Sequence, residues 1–528
     1  MNKKQIRFTW HLAFLSLLFL GLASLSLFIF RNKPFQAKAD LPPYTTTVTN
    51  FDPNNRAVIR FDVDGNAVDA HDGDLVYFDD KYYLYGTSYD CGYKLQVNGT
   101  PFCGFKAYSS TDLVYWKDEG FLFDATTPEW QGRCAAPKFG CYRPHVLFNS
   151  TTNKYILWIN SYDNASNYHV FTADTPQGPF VEAAEPDMAT EGAAGALTNG
   201  DMDLFQDDDG TAYIAYTNIS STPTHTIKIQ KLNAEYTSGT GTAISAVATG
   251  GSEAPSLFRK SNTYYLVYGP TCSYCGGTST QYKSATSPMG TWGAATQLNA
   301  NSCGGQPSFV AKIPGVSEDL YVYGSDLWNN GNPNEALANF YWAPLTFSGT
   351  NINSFSCQAS VSVKMGEGSS GQPNNSDQSS GMSFFRPHCD INTWSRMQTF
   401  VAGKSGKLTS VSFTSYQSGN PNAGLILELF NLDANGAPIG SSLASTTIPV
   451  SSVGWSPRNM TLSPNISVYG GTQYGIRART TNSNAGACYG FLYNDYKPYQ
   501  AGKAMYLPQG GSWTAESSRS LKFQTAIN

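Results

Sequence analysis

Short apolar runs rich in tyrosine and tryptophan recur along the first two thirds of the chain, each following a polar or acidic turn. They are Tyr82-Tyr83-Leu84-Tyr85, Tyr155-Ile156-Leu157-Trp158, Tyr213-Ile214-Ala215-Tyr216, Tyr264-Tyr265-Leu266-Val267-Tyr268 and Tyr321-Val322-Tyr323. Runs this short, bounded by turns such as Asp79-Asp80, Asp207-Asp208-Asp209-Gly210 and Lys260-Ser261-Asn262, read as strands joined by hairpins. A third strand follows in several units, as at Phe105–Ser110 and Thr280–Ser284. Five such units predict a five-bladed β-propeller over residues 60–362. Most of the aromatic residues are then sheet-to-sheet packing.

The pattern breaks at 363–381, a Gly-, Ser- and Asn-rich stretch with no apolar period, which reads as a linker. Alternating runs resume beyond it, at Leu408–Phe413, Leu425–Phe430 and Tyr474–Ala478. With no helix signal, residues 382–528 predict a β-sandwich of jelly-roll type and a candidate carbohydrate-binding module. Trp394, Trp455, Tyr474, Tyr489 and Trp513 are its candidate sugar-stacking residues, some of which must instead fill the core. At the other end, Lys3, Lys4 and Arg7 precede an apolar run from Leu12 to Phe30, followed by Arg31 and Lys33. Residues 1–40 therefore read as a signal peptide or a retained signal-anchor, with 41–59 as a linker to the first blade. Secreted and membrane-anchored forms both place the folded chain outside the cytosol, and only this segment would touch a membrane.

Composition narrows the function. The chain of 528 residues holds 34 Lys+Arg against 39 Asp+Glu, a formal charge of −5, with no basic cluster in the folded region, which argues against a nucleic-acid partner. Its 49 glycines, 32 tyrosines and 30 phenylalanines fit an all-β fold. Ten cysteines give an even count suited to an oxidising compartment. Cys91 with Cys103, Cys134 with Cys141 and Cys272 with Cys275 are short-range pairs, which leaves Cys303 with Cys357 and Cys389 with Cys488. Sequons at Asn98, Asn149, Asn164, Asn218, Asn374, Asn459 and Asn465 are compatible with glycosylation.

Three acids hold the same phase relative to the strands: Asp72 in His71-Asp72-Gly73-Asp74, Asp201 in Asn199-Gly200-Asp201-Met202-Asp203, and Glu253 in Ser252-Glu253-Ala254-Pro255. The innermost strands of a propeller converge on its axis, so these side chains can meet in one pocket. An inverting glycosidase needs such a set: a carboxylate to deprotonate water and a carboxylic acid to protonate the leaving oxygen, about 6.5–9.5 Å apart. Asp72 suits the base, Glu253 the acid, and Asp201 the neighbour that tunes the acid's pKa.

Those three motifs together resemble glycoside hydrolase family 43, over residues 60–360. The resemblance implies a five-bladed propeller with a central pocket and an inverting mechanism, with Asp72 as general base, Asp201 as pKa modulator and Glu253 as general acid. It is nearest to the exo-β-1,3-galactanase-like branch, where Gln306 resembles a glutamine that positions water or substrate. Two departures stand out: Tyr142 and Thr87 occupy places where that branch carries glutamates, and that branch lacks the aspartate found here at Asp72. Galactan 1,3-β-galactosidase is thus the first expectation. An α-L-arabinofuranosidase, a β-xylosidase and a non-catalytic glycan-binding propeller remain alternatives.

His71, Tyr142, Arg143, His145, Gln306 and Trp328 are the candidate substrate-binding residues, each with a purely structural alternative such as a buried histidine bonded to a blade. No phosphate loop or nicotinamide fingerprint follows a strand, and no convincing metal spacing appears. The expectation is a monomer acting on a polysaccharide or oligosaccharide, with no required cofactor and with calcium a candidate structural ion.

Overall fold

The computed structural model describes residues 42–95, 97–219, 224–244, 246–272, 274–329, 334–366, 368–373 and 375–528. The N-terminal basic and apolar segment lies outside them. Every aromatic run falls on the second strand of a blade: Lys81–Thr87, Lys154–Asn160, Ala212–Asn218, Thr263–Pro270 and Leu320–Leu327. Each pairs antiparallel with the strand before it and the strand after it, which makes four sheets of four strands and a fifth of three among the described residues. The second strands are buried nearly throughout because aromatic rings join neighbouring blades. Phe78 meets Tyr155 at 5.2 Å, Phe205 meets Tyr264 at 6.1 Å and Phe258 meets Tyr321 at 5.1 Å, in each case linking an innermost strand to the second strand of the next blade. Such pairs contribute about 0.5–1.5 kcal/mol each beyond area burial.

The innermost strands share a second feature. The ladder slips between Tyr142 and His145, between Asn199 and Met202, between Glu253 and Ser256, and between Pro307 and Phe309. In the first blade His71 pairs with Thr87 and Asp74 with Tyr85, so that Asp72 and Gly73 together oppose Gly86. A bulge bends its strand and re-aims the side chains beside it. Here it recurs once per blade, at the same end.

The segment expected as a linker at 41–59 is structured. Tyr44–Thr49 pairs antiparallel with Ser360–Met365, and Val48, Val361, Val363 and Met365 enter the core shared by the first and fifth blades. The 363–381 stretch is likewise tied down, by Asp112 accepting the Gly371 N–H at 2.6 Å and by Gln378–Ser379 pairing with Gln524 and Thr525.

Beyond it lies the β-sandwich. One sheet is built on Gly406–Ser418, Cys488–Asn494 and Phe523–Ile527, the other on Leu425–Leu432, Gln473–Thr480 and Trp394–Val401, with Phe400, Val411, Leu427, Ile476 and Phe491 among the side chains between them. Propeller and sandwich belong to one compact unit, residues 43–528. The five disulfides are Cys91–Cys103, Cys134–Cys141, Cys272–Cys275, Cys303–Cys357 and Cys389–Cys488. Of the sequons, Asn149, Asn164 and Asn218 are buried with their amides bonded to backbone carbonyls, which leaves no room for a glycan there. Tyr474 and Tyr489 are core residues, and Trp455 is buried against the propeller, so none of the three offers a free face to a sugar; Trp394 is exposed.

Candidate active site

The recurrent bulge places Asp72, Arg143, Asp201, Glu253 and Gln306, one from each blade, around a cavity of about 330 Å³. That is the small end of ligand pockets, suited to one or two sugar rings.

Asp72 sits at φ 55°, in the left-handed region that costs a non-glycine residue energy and marks sites held by their surroundings. Gly73 is obligatory beside it, because a Cβ there would lie 2.1 Å from the Tyr85 carbonyl oxygen. The Asp72 N–H donates to Asp326 Oδ2 at 3.1 Å, and its Oδ1 accepts the Thr87 hydroxyl at 2.6 Å. Burial pushes the Asp72 carboxyl up to about 7, against the opposing pull of Arg143 and the Thr87 hydroxyl. A carboxylate near neutrality is matched to general-base work.

Arg143 is buried between the acids. Its Nη2 donates to Asp201 Oδ2 at 2.8 Å and its Nη1 to the Ser308 carbonyl at 3.3 Å. Burial works against the charge, but Asp201 and Asp72 outweigh it and hold the guanidinium protonated. Nη1 and Nη2 are thus engaged by protein groups at the edge of the cavity that Arg143 lines.

Glu253 is raised from its ordinary value by burial, with Asp201 adding to the effect and with His225, the Cys272 N–H and Arg143 opposing it. Its Oε1 accepts from the Cys272 N–H and from Gln306 Nε2, the latter at 3.1 Å. Oε2 lies 3.7 Å from His225 Nδ1. With Oε1 engaged by two donors, a proton on this carboxyl belongs on Oε2. Gln306 is oriented in turn by Trp328, whose Nε1 donates to Gln306 Oε1 at 2.9 Å.

Tyr142, Tyr274 and Trp328 form an aromatic wall. Tyr142 Oη lies 2.8 Å from Tyr93 Oη, and Tyr89 Oη 3.1 Å from Tyr274 Oη. Trp328 is buried rather than an exposed loop tryptophan.

The two histidines do not line the cavity. His71 is fully buried, stacked on Phe340 at 4.9 Å, and lies 3.6 Å from Asp326 Oδ1 and 3.7 Å from Asp69 Oδ1. Burial disfavours its proton, but Asp326 and Asp69 outweigh burial and raise it. His145 is likewise fully buried, 3.0 Å from Asp203 and 3.8 Å from Asp74. His71 stands just before the bulge of its blade and His145 just past it, and each turns away from the pocket that its bulged neighbour, Asp72 or Arg143, lines.

Asp74, His145 and Asp203 bring their ligand atoms within 4.8 Å of one another, all buried. Although Nδ1 of His145 lies 3.0 Å from Asp203 Oδ1, neither ring nitrogen is aligned for a hydrogen bond, so the donor set suits a divalent cation. Calcium takes six to eight oxygens, and two carboxylates with one imidazole supply only part of that shell.

Four contributors carry no motif of their own: Asp326 at the end of a second strand, the Cys272 backbone, Tyr274 and His225. Their contacts are long-range, and only the i, i+2 pairing of Asp72 with Asp74 and Asp201 with Asp203 is a sequence trace of the bulged geometry.

The sequence model for Glycosyl hydrolases family 43 matches residues 66–302. Among curated proteins, the arabinoxylan arabinofuranohydrolase of Bacillus subtilis (strain 168) is 27% identical over 244 residues, covering 40% of this chain and 46% of that protein. The chain thus spans less than half the length of this relative. An exo-β-1,3-galactanase from Clostridium thermocellum matches with a TM-score of 0.50 at 20% identity, covering 76% of each chain. The Phanerochaete chrysosporium exo-β-1,3-galactanase solved with galactose matches at 0.49 and 20%, covering 85% of this chain and 100% of that one.

Proposed function

We propose that the chain, whose residues 66–302 match the sequence model for Glycosyl hydrolases family 43, is an inverting exo-glycosidase that removes a terminal neutral sugar from a polysaccharide or oligosaccharide. The observation that carries this reading is the meeting of Asp72, Asp201 and Glu253 around one cavity, with Arg143 between the acids. Asp72 accepts a proton from water as the water oxygen attacks the anomeric carbon. Glu253 delivers its Oε2 proton to the glycosidic oxygen as the bond to the anomeric carbon breaks. Water is consumed, and the sugar leaves with inverted configuration. Asp201 keeps Glu253 protonated by like-charge repulsion, while Arg143 holds Asp201 in place and moderates Asp72.

The first substrate is a terminal β-1,3-linked galactose. α-L-Arabinofuranose is the second, favoured by the presence of Asp72 with Thr87 on it where the galactanase branch is arranged differently. Tyr142, Tyr274 and Trp328 supply apolar faces and hydroxyls to the sugar. Five disulfides fit an oxidising compartment, and together with the basic and apolar N-terminus they support export. Proton NMR of the first-formed sugar, on a panel of β-1,3-galactan, arabinan and xylan, tests the proposal. Retained anomeric configuration sinks the mechanism, and tight glycan binding with no product on any substrate makes the propeller a binding module.

A further inference from the structure

Trp455 lies on the loop between strands Pro438–Ile448 and Arg458–Leu462 of the sandwich, yet it is only 5% exposed. What buries it is the propeller. Its ring sits so close to Gly92 that a Cβ there would come within 2.3 Å of the indole, and it clusters with Tyr89, Tyr93 and Trp328. Asp90 fastens the loop at three points: its carbonyl accepts the Trp455 N–H at 3.1 Å, its Oδ1 accepts the Ser456 N–H at 2.7 Å, and its Oδ2 pairs with Arg458. On the far side, Asn334 Nδ2 donates to the Trp455 carbonyl at 2.8 Å. One sandwich loop thus braces both the 89–93 and the 334–338 segments of the propeller.

Contacts run inward from there to the chemistry. Tyr89 meets Trp328 edge-on at 5.9 Å, Trp328 Nε1 donates to Gln306 Oε1, and Gln306 Nε2 donates to Glu253 Oε1. An indole N–H can only donate, so Trp328 decides which end of the Gln306 amide faces Glu253. With Nε2 turned to Oε1, the Glu253 proton is kept on Oε2. Were the amide to turn over, its carbonyl would compete for that proton.

We propose that Trp455 is a positioning residue for hydrolysis, acting through Trp328 and Gln306 on Glu253, so that a sandwich loop braces the active-site wall from behind. The inference rests on the reading of Glu253 as general acid. A defect in acid catalysis has a signature that loose folding lacks: it hurts substrates with poor leaving groups and spares those whose leaving group needs no proton.

The test uses the full chain and two substrate pairs, β-1,3-galactobiose against 4-nitrophenyl β-D-galactoside and arabinoxylan against 4-nitrophenyl α-L-arabinofuranoside, taking the pair that is cleaved. Trp455→Ala is expected to lower kcat on the natural glycan by about 10- to 100-fold, the cost of displacing a reacting group by about an ångström. The nitrophenyl glycoside should lose far less, and Trp455→Phe should recover most of the rate. Equal losses on both members of the pair, or no loss on either, overturn the inference. If Trp455→Ala does not fold, Arg458→Gln leaves the indole in place while loosening Asp90, and is judged by the same selectivity. Glu253→Gln run in parallel separates the two failures. Without leaving-group selectivity in Glu253→Gln, the general-acid reading falls; with it there and absent from Trp455→Ala, only the role of Trp455 falls.

Discussion

Replacing Thr87 with valine is the sharpest probe of the base, because it removes one hydroxyl and keeps the side-chain shape. That hydroxyl donates to Asp72 Oδ1 at 2.6 Å, inside a site from which Asp72 is barely exposed. A hydrogen bond to a charged group contributes about 1.5–3 kcal/mol, and one pKa unit is about 1.4 kcal/mol, so its loss should raise the Asp72 pKa by roughly 1–2 units from its starting point of about 7. The sign follows from the role. A base works only when ionised, so activity falls as pH drops through its pKa, and Thr87→Val should move the acidic limb of kcat/KM upward. At pH 6 the loss should reach about 10- to 100-fold, whereas the alkaline limb, set by the Glu253 proton, should stay where it was. A pH–rate profile of wild type and variant on the same glycan reads this directly. A uniform loss at every pH, or a full rate with no displacement of the acidic limb, would refute the assignment of Asp72 as base.

Glu253→Gln keeps the shape but not the transferable proton, and Asp72→Asn removes the base; each should cost at least about 100-fold in kcat, measured as released reducing sugar. Arg143→Met leaves Asp201 and Asp72 facing each other without their buried cation, and should lower stability by about 3–5 kcal/mol in urea unfolding; an unchanged midpoint would show that the guanidinium does not neutralise them. Gly73→Ala forces a methyl to within 2.1 Å of the Tyr85 carbonyl oxygen, so it should displace Asp72 and abolish turnover while the sandwich stays folded by near-ultraviolet circular dichroism.

The strands were legible because their signal is local. Tyr82–Tyr85 and Tyr264–Tyr268 advertise buried strands within a few residues, and the phase of Asp72, Asp201 and Glu253 ahead of such strands places them at the axial ends of innermost strands. What stayed hidden is what depends on distant contacts. Tyr44–Thr49 reads as linker because its partner, Ser360–Met365, lies at the other end of the propeller. His71 and His145 read as pocket residues because proximity in sequence to Asp72 and Arg143 does not reveal that the bulge turns alternate side chains to opposite sides. Trp455 looks like a sugar platform until the loop that buries it is known. The hold of the Cys272 backbone on Glu253 leaves no trace in side-chain identity.

The pairing of Tyr44–Thr49 with Ser360–Met365 also sets a schedule for the nascent chain. At about 5–20 residues per second, the first strand waits roughly a quarter of a minute to a minute before its partner emerges. Through that interval the Tyr44–Thr49 edge and the Val48 side chain have no partner strand, and the core shared by the first and fifth blades is short of Val361, Val363 and Met365. A ribosome that stalls or terminates before Ser360 therefore releases a chain with an unpaired edge, the kind of surface on which chains associate with one another. The Ser360–Met365 strand is the point in synthesis after which that edge is covered.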